Sequence, residues 1–284
     1  MNKSVKLIEC PRDAMQGWEA WIPTETKIAY LNSLLKVGFN TLDFGSFVSS
    51  KAIPQLKDTK EVLAGLDLSS TKTKLLAIVA NTRGAEEASV FDEINFLGFP
   101  FSISEEFQKR NTNSSIEESL IRVREISEIC VRTKKEMVIY ISMGFGNPYG
   151  ELWNTDIVIK WVKKLTEVGI NIIALSDTVG VSTPENISYL FTGLIPEFPK
   201  VEFGAHLHSD KLTWREKISA AEKSGCLRFD SALKGIGGCP MANNELVGNL
   251  ATEDLVSYFG GLEGLNLKQA EWEIAMKKAD EIFH

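Results

Sequence analysis

With 284 residues, 44% of them hydrophobic and 24% charged, the chain has the make-up of an ordinary soluble globular protein, and its length suits one eight-fold β/α barrel. A net charge of −7 argues against a nucleic-acid partner, which calls for a basic surface. No apolar run approaches the ~20 residues of a membrane span. The opening Met1-Asn2-Lys3-Ser4-Val5-Lys6 has no apolar signal core, and Cys10, Cys130, Cys226 and Cys239 form no CxxC pair, so a reducing, cytoplasmic setting is expected.

Short apolar runs alternate with longer amphipathic stretches along the whole chain. The runs predict strands at Lys6–Cys10, Thr41–Gly45, Lys74–Val79, Glu93–Phe99, Met137–Ser142, Ile172–Ser176, Glu202–His208 and Leu227–Ser231. Most are rich in Val, Ile, Leu and Phe without clean alternation, as strands covered on both faces should be. Between them the periodicity predicts helices. Thr24–Val37 is read with Thr24 as its cap, and Ser115–Val131, Thr155–Val168 and Lys211–Ser224 follow, with another opened by Thr183-Pro184-Glu185. A further helix is expected at Asn266–Phe283.

Eight strand–helix units imply a parallel sheet, and closure on itself gives an α/β fold of the (β/α)8 type, with the barrel over about residues 4–260 and a C-terminal helix over 266–283. A doubly wound open sheet is the alternative. No linker, low-complexity stretch or GxGxxG points to a second domain or a dinucleotide site.

In such barrels the chemistry gathers where strands end and loops begin. The polar residues here fall at those ends: Arg12-Asp13 after strand one, Asp43 in strand two, Asp177-Thr178 after strand six, and Gly235-Ile236-Gly237-Gly238-Cys239-Pro240 after strand eight. Strand seven carries Gly204-Ala205-His206-Leu207-His208, which holds two of only three histidines. Alternation sends both imidazoles to one face, about 7 Å apart at ~3.3 Å per residue, where they can converge on one divalent ion. Two hydrogen-bonded core histidines is the alternative for an isolated HxH.

Seven segments in order carry a family likeness: Pro11-Arg12-Asp13-Ala14-Met15-Gln16, Ser46-Phe47-Val48-Ser49-Ser50-Lys51, 111–119 (NTNSSIEES), Ser176-Asp177-Thr178-Val179-Gly180-Val181, the HxH, Gly237-Gly238-Cys239-Pro240, and 248–254 (GNLATED). The chain resembles the 3-hydroxy-3-methylglutaryl-CoA lyases, members of the metal-dependent lyase and Claisen-type synthase barrels. The GGCP and GNLATED pair is the most specific, because the related synthases generally lack that cysteine.

The resemblance implies metal ligands at Asp13, His206, His208 and Asn249, a set suited to Mg²⁺ or Mn²⁺. It implies a catalytic Arg12 at the developing enolate, a proton-delivering Cys239, and further catalytic roles for His206, Asp43, Asp177 and Glu253. Gln16, Ser46 and Thr178 match substrate-side positions, and Lys51, Lys109 and Arg110 are expected to meet the phosphates or acyl carboxylate of an acyl-CoA. The implied reaction is cleavage of 3-hydroxy-3-methylglutaryl-CoA to acetyl-CoA and acetoacetate, a step of leucine degradation and ketone-body formation, by a homodimer.

The chain departs from the family pattern at several places. Asp43 stands where glutamate is usual, Ala14 where glycine is usual, and Ser209 directly follows the second histidine. The loop Met143–Tyr149 lacks the frequent cysteines, and the spacing from Cys239 to Asn249 is one residue longer. The alternatives are a lyase for a related 3-hydroxyacyl-CoA, a Claisen synthase using a 2-oxo acid, and a non-catalytic barrel that binds acyl-CoA or metal.

Overall fold

The computed structural model describes residues 4–238 and 248–284. Eight parallel strands close into a barrel in sequence order: β1 (Lys6–Glu9), β2 (Thr41–Ser46), β3 (Lys74–Ile78), β4 (Ile94–Ser102), β5 (Glu136–Ser142), β6 (Ile172–Asp177), β7 (Glu202–Leu207) and β8 (Arg228–Ser231). Closure is made by β1 against β8, with Leu7 opposite Phe229 and Glu9 opposite Ser231. All eight expected strands are present, and the open sheet is excluded.

The helices are α1 (Pro11–Gln16), α2 (Thr24–Val37), α3 (Thr59–Ala64), α4 (Thr82–Ser89), α5 (Glu105–Thr112), α6 (Ile116–Thr133), α7 (Thr155–Glu167), α8 (Pro184–Glu197), α9 (Trp214–Lys223), α10 (Thr252–Tyr258), α11 (Gly261–Gly264) and α12 (Gln269–Ile282). Capping explains several starts. The Ser115 and Thr183 hydroxyls accept from the backbone N–H groups of Glu118 and Asn186, whose side chains reach back in full capping boxes. Thr24 is not the cap of α2 as expected. It is the first helical residue, and its hydroxyl donates to Asp58 at 2.7 Å. Helix α9 starts at Trp214 rather than Lys211, because the Asp210 carboxylate accepts from the N–H groups of Leu212 and Thr213 and holds them in a turn.

Alternation splits the core in two. Outward residues such as Leu42, Phe44, Ala205 and Phe229 join the large cluster between barrel and helices. Inward residues of β3–β6, including Leu76, Phe96, Val138 and Ala174, form a small apolar plug inside the barrel. The inward positions of β1, β2, β7 and β8 extend to Cys10, Asp43, His206, Arg228 and Asp230, so one side of the interior is polar. That asymmetry sets the place of the site. Among the described residues no helix is long and apolar enough to cross a membrane.

Candidate active site

The polar side of the barrel opens at its carboxyl end into a cavity of about 400 Å³ lined by Arg12, Asp13, Gln16, Tyr140, Ser176, Thr178, His206, His208 and residues of α5. Helix α1 begins directly after β1 with Pro11 at its first position, which turns Arg12 and Asp13 over the barrel mouth.

Arg12 is buried, with four of its five N–H groups engaged. Its Nε and Nη2 donate to Asp43 Oδ2 at 2.9 and 2.6 Å, and its Nη1 donates to Asp13 Oδ1 at 2.8 Å and Gln16 Oε1 at 2.9 Å. Burial would depress the guanidinium pKa, but Asp43 and Asp13 outweigh it and raise it. Burial raises Asp43 to about 6 against the pull of Arg12, and Asp43 Oδ1 has no partner among the described residues. Asp43 lies behind Arg12 and outside the cavity lining, as a residue acting through the guanidinium should.

Asp13 has the opposite balance. Burial works against its charge, but Arg12 and His206 hold it down at about 2. Ligand atoms of Asp13, His206 and His208 lie within 4.8 Å of one another. His208 Nδ1 faces the Thr178 carbonyl at 3.2 Å, which sets Nδ1 as the N–H and turns Nε2 toward the cavity side. That Nε2 is buried and has no hydrogen-bond partner among the described residues. Burial and neighbouring His206 lower the His208 pKa to about 4, so its Nε2 lone pair is available. His206 Nδ1 sits 3.2 Å from Asp230 Oδ2, and although burial opposes it, Asp230 raises the His206 pKa.

An acid, two imidazoles and one unpartnered lone pair fit a divalent cation. Asn249 is brought to the same place, bridged to His208 in backbone pairing, but its Nδ2 donates to Asp13 Oδ2 at 2.8 Å and to the Ile236 carbonyl at 3.0 Å. Ligation through its oxygen requires the amide to turn over. Gly237 makes this packing feasible: at φ +99°, a Cβ there would stand 2.9 Å from the Asp13 carbonyl and 2.7 Å from Asn249 Nδ2.

The remaining expected residues divide. Thr178 lines the cavity and accepts from the Met143 N–H at 2.9 Å. Arg110 lines it too, held by Glu106 at 2.7 Å, whereas Lys51 and Lys109 do not. Ser46 is buried beneath, its hydroxyl accepting from the Val48 N–H at 3.2 Å. Two expected catalytic acids are occupied elsewhere. Asp177 accepts from the N–H groups of Val181 and Ser182 and from Lys217 Nζ at 2.9 Å. Glu253 accepts from the Lys234 N–H at 2.9 Å, holding that residue at φ +65°. Neither lines the cavity, so their geometry is that of loop anchors. Cys239 lies outside the described residues. Sequence reading missed Asp230 and Tyr140. Arg228 and Asp230 are two charges on one face of β8, but the sequence alone does not say whether that face points into the barrel.

A parallel eight-stranded barrel carrying a guanidinium and a cation-ready acid–imidazole cluster at its carboxyl rim defines a barrel protein with an active-site cavity suited to a divalent ion. Sequence comparison narrows the class: residues 5–276 match the HMGL-like family model, and the chain belongs to that family. It is 34% identical over 246 residues to a hydroxymethylglutaryl-CoA lyase of Bacillus subtilis, covering 87% of this chain and 81% of that protein. It is 34% identical over 269 residues to the cytoplasmic 3-hydroxy-3-methylglutaryl-CoA lyase of Homo sapiens, covering 92% and 70%. The crystal structure of a B. subtilis HMG-CoA lyase superposes with a TM-score of 0.90 at 32% identity, over 98% of this chain and 93% of that one. An HMG-CoA lyase of Acinetobacter baumannii, solved with coenzyme A and 3-methylmalate, superposes with a TM-score of 0.88 at 28% identity, over 99% and 92%.

Proposed function

We propose that this chain is a divalent-metal-dependent carbon–carbon lyase that cleaves 3-hydroxy-3-methylglutaryl-CoA to acetyl-CoA and acetoacetate. The observation that carries the reading is the convergence of Arg12, Asp13, His206 and His208 on one cavity, with the His208 Nε2 lone pair left over. The named activity of the relatives supports the substrate, and the coenzyme A complex of the Acinetobacter relative supports an acyl-CoA.

Asp13, His206 and His208 would hold Mg²⁺ or Mn²⁺, with Asn249 in reach. When bound, such an ion polarises the substrate's tertiary hydroxyl and lowers its pKa. The base in this reading is a carboxylate near the cavity, because both ring nitrogens of His206 are engaged, Nε2 toward the ion and Nδ1 toward Asp230. Loss of the hydroxyl proton to that base lets the carbon–carbon bond break, forming the ketone of acetoacetate and sending the electron pair into the thioester enolate. Arg12 is pre-ordered by Asp43 and Gln16 to meet that developing negative charge. The enolate carbon then takes a proton, a role the family resemblance gives to Cys239. Arg110 at the cavity edge is the cation best positioned for the substrate's anionic groups. A homodimer and a place in leucine degradation and ketone-body formation are carried by the resemblance alone, and a cytoplasmic setting by the cysteine pattern.

The test is mass spectrometry of products after metal-stripped protein meets 3-hydroxy-3-methylglutaryl-CoA, with and without Mg²⁺ or Mn²⁺. Acetyl-CoA and acetoacetate should appear one to one, and only with the ion. Release of free coenzyme A, or no product over hours, would contradict the reading.

A further inference from the structure

Behind the cavity, on the floor of the barrel, Cys10, His206 and Asp230 form a second cluster. Cys10 ends the run of inward residues on β1, Asp230 stands on neighbouring β8, and His206 on β7 reaches across to both. One ligand atom from each lies within 4.8 Å of the others. Cys10 and Asp230 are 1% and 2% exposed.

Three further facts point to a missing partner in this layer. Asp230 gives Oδ2 to His206, but its Oδ1 is buried with no partner among the described residues. Asp43 Oδ1 and the Tyr140 hydroxyl are in the same condition, and Tyr140 stands edge-on to the His206 ring at 5.5 Å. Two buried acids, Asp43 and Asp230, and the part-buried Asp13 face the guanidinium groups of Arg12 and Arg228, and Arg228 gives Nη1 to Glu202 while its Nε and Nη2 have no partner among the described residues. Buried carboxylate oxygens are expensive to leave unsatisfied, and a cation answers both the charge and the lone pairs.

We propose that Cys10, His206 Nδ1 and Asp230 are an inner binding site for a thiophilic divalent cation of the Zn²⁺ type, distinct from the Asp13–His206–His208 site. A thiol, an imidazole nitrogen and a carboxylate oxygen are zinc's ordinary ligands, and three protein ligands leave its fourth position open. Zinc bond lengths put ligand atoms roughly 3.3–3.8 Å apart, so the cluster contracts modestly on binding. On binding, the inner ion displaces the Cys10 thiol proton and the His206 Nδ1 proton to solvent, which leaves His206 a bridging imidazolate when the outer ion is also bound. Mg²⁺ and Mn²⁺, which prefer oxygen, have no reason to recruit the sulfur. The two sites share His206 through opposite nitrogens, so the inner ion restrains the imidazole that the outer one uses.

The experiment titrates metal-free protein with Co²⁺, a spectroscopic stand-in for Zn²⁺. A near-ultraviolet thiolate-to-cobalt charge-transfer band should appear in the wild type and in Cys239→Ser, and be absent from Cys10→Ser and Cys10→Ala. Zn²⁺ affinity, read by competition with a chromogenic chelator, should fall at least about tenfold in both Cys10 variants and in Asp230→Asn. No band in the wild type, a band that survives Cys10→Ser, or a band lost only in Cys239→Ser would overturn the site; the first outcome means that water satisfies these groups. These readouts need no substrate, so they stand or fall separately from the lyase reading.

Discussion

Arg12 holds the most committed side chain in the cavity. Four hydrogen bonds to Asp43, Asp13 and Gln16 fix its plane before substrate arrives. Lysine offers a point charge without the fork, so Arg12→Lys should lower kcat by about 10²–10³-fold while KM moves by less than about threefold. Steady-state kinetics on the metal-replete variant checks this, and a raised KM with kcat unchanged would reduce Arg12 to a binding residue. Arg12, Asp13, His206 and His208 were legible in the sequence because they lie in contiguous motifs at strand ends. Asp230 and Tyr140 were not, because they sit inside strands, where a polar residue facing the interior reads like one facing out. Asp177 and Glu253 were legible as motif members but not in function, since only their partners Lys217 and Lys234 reveal them as anchors.

Elements meet the site through two buried ionisable groups, Lys217 and Glu9. Lys217 of α9 donates to Asp177, to the Gly180 carbonyl at 3.2 Å and to the His208 carbonyl at 3.0 Å, tying the loop after β6 to the metal-side histidine. Lys217→Met leaves the Asp177 carboxylate buried and unpaired, at a cost of about 3–5 kcal/mol by denaturant unfolding. An unchanged midpoint would show the pair to be dispensable. On β1, Glu9 accepts from the Leu233 N–H at 2.9 Å and from the Thr252 hydroxyl at 2.6 Å, clamping both sides of the segment between β8 and α10. Burial raises Glu9 to about 8 from an ordinary 4.5. The folded state therefore binds the proton more tightly, and stability contributed by this group is lost as pH rises from 4.5 through 8. Glu9→Gln should melt above the wild type at pH 8–9, by at least about 2 °C, with the gap closing near pH 4.5. A gap that widens on acidification would reverse the sign. The strands were legible from their apolar runs and the long helices from their period. Helices α1, α3, α4 and α5 span only six to eight residues, too few turns for a period to emerge.

At the scale of the molecule, closure of the barrel brings β1 beside β8 and so unites Arg12 and Asp13 with residues more than 190 positions away, such as His206 and Asn249. The C-terminal helix α12 backs that closure. It buries Ala275, Ala279 and Ile282, and Phe283 beyond its end packs edge-on to Trp18 at 5.3 Å and Tyr30 at 6.0 Å. Deleting residues 266–284 should lower the melting temperature by more than about 10 °C, since several buried side chains at about 1.5–3 kcal/mol each are lost. A truncated protein that melts with the full chain would make the helix an appendage. The central claim is that an acid and two imidazoles, drawn from opposite ends of the chain, grip one divalent ion at the barrel mouth. Anomalous diffraction from Mn²⁺-loaded crystals tests it most directly. The account predicts a single strong manganese peak bonded to Asp13 and to the Nε2 atoms of His206 and His208; a well-ordered map with no peak there, or with manganese held by other residues, would contradict it.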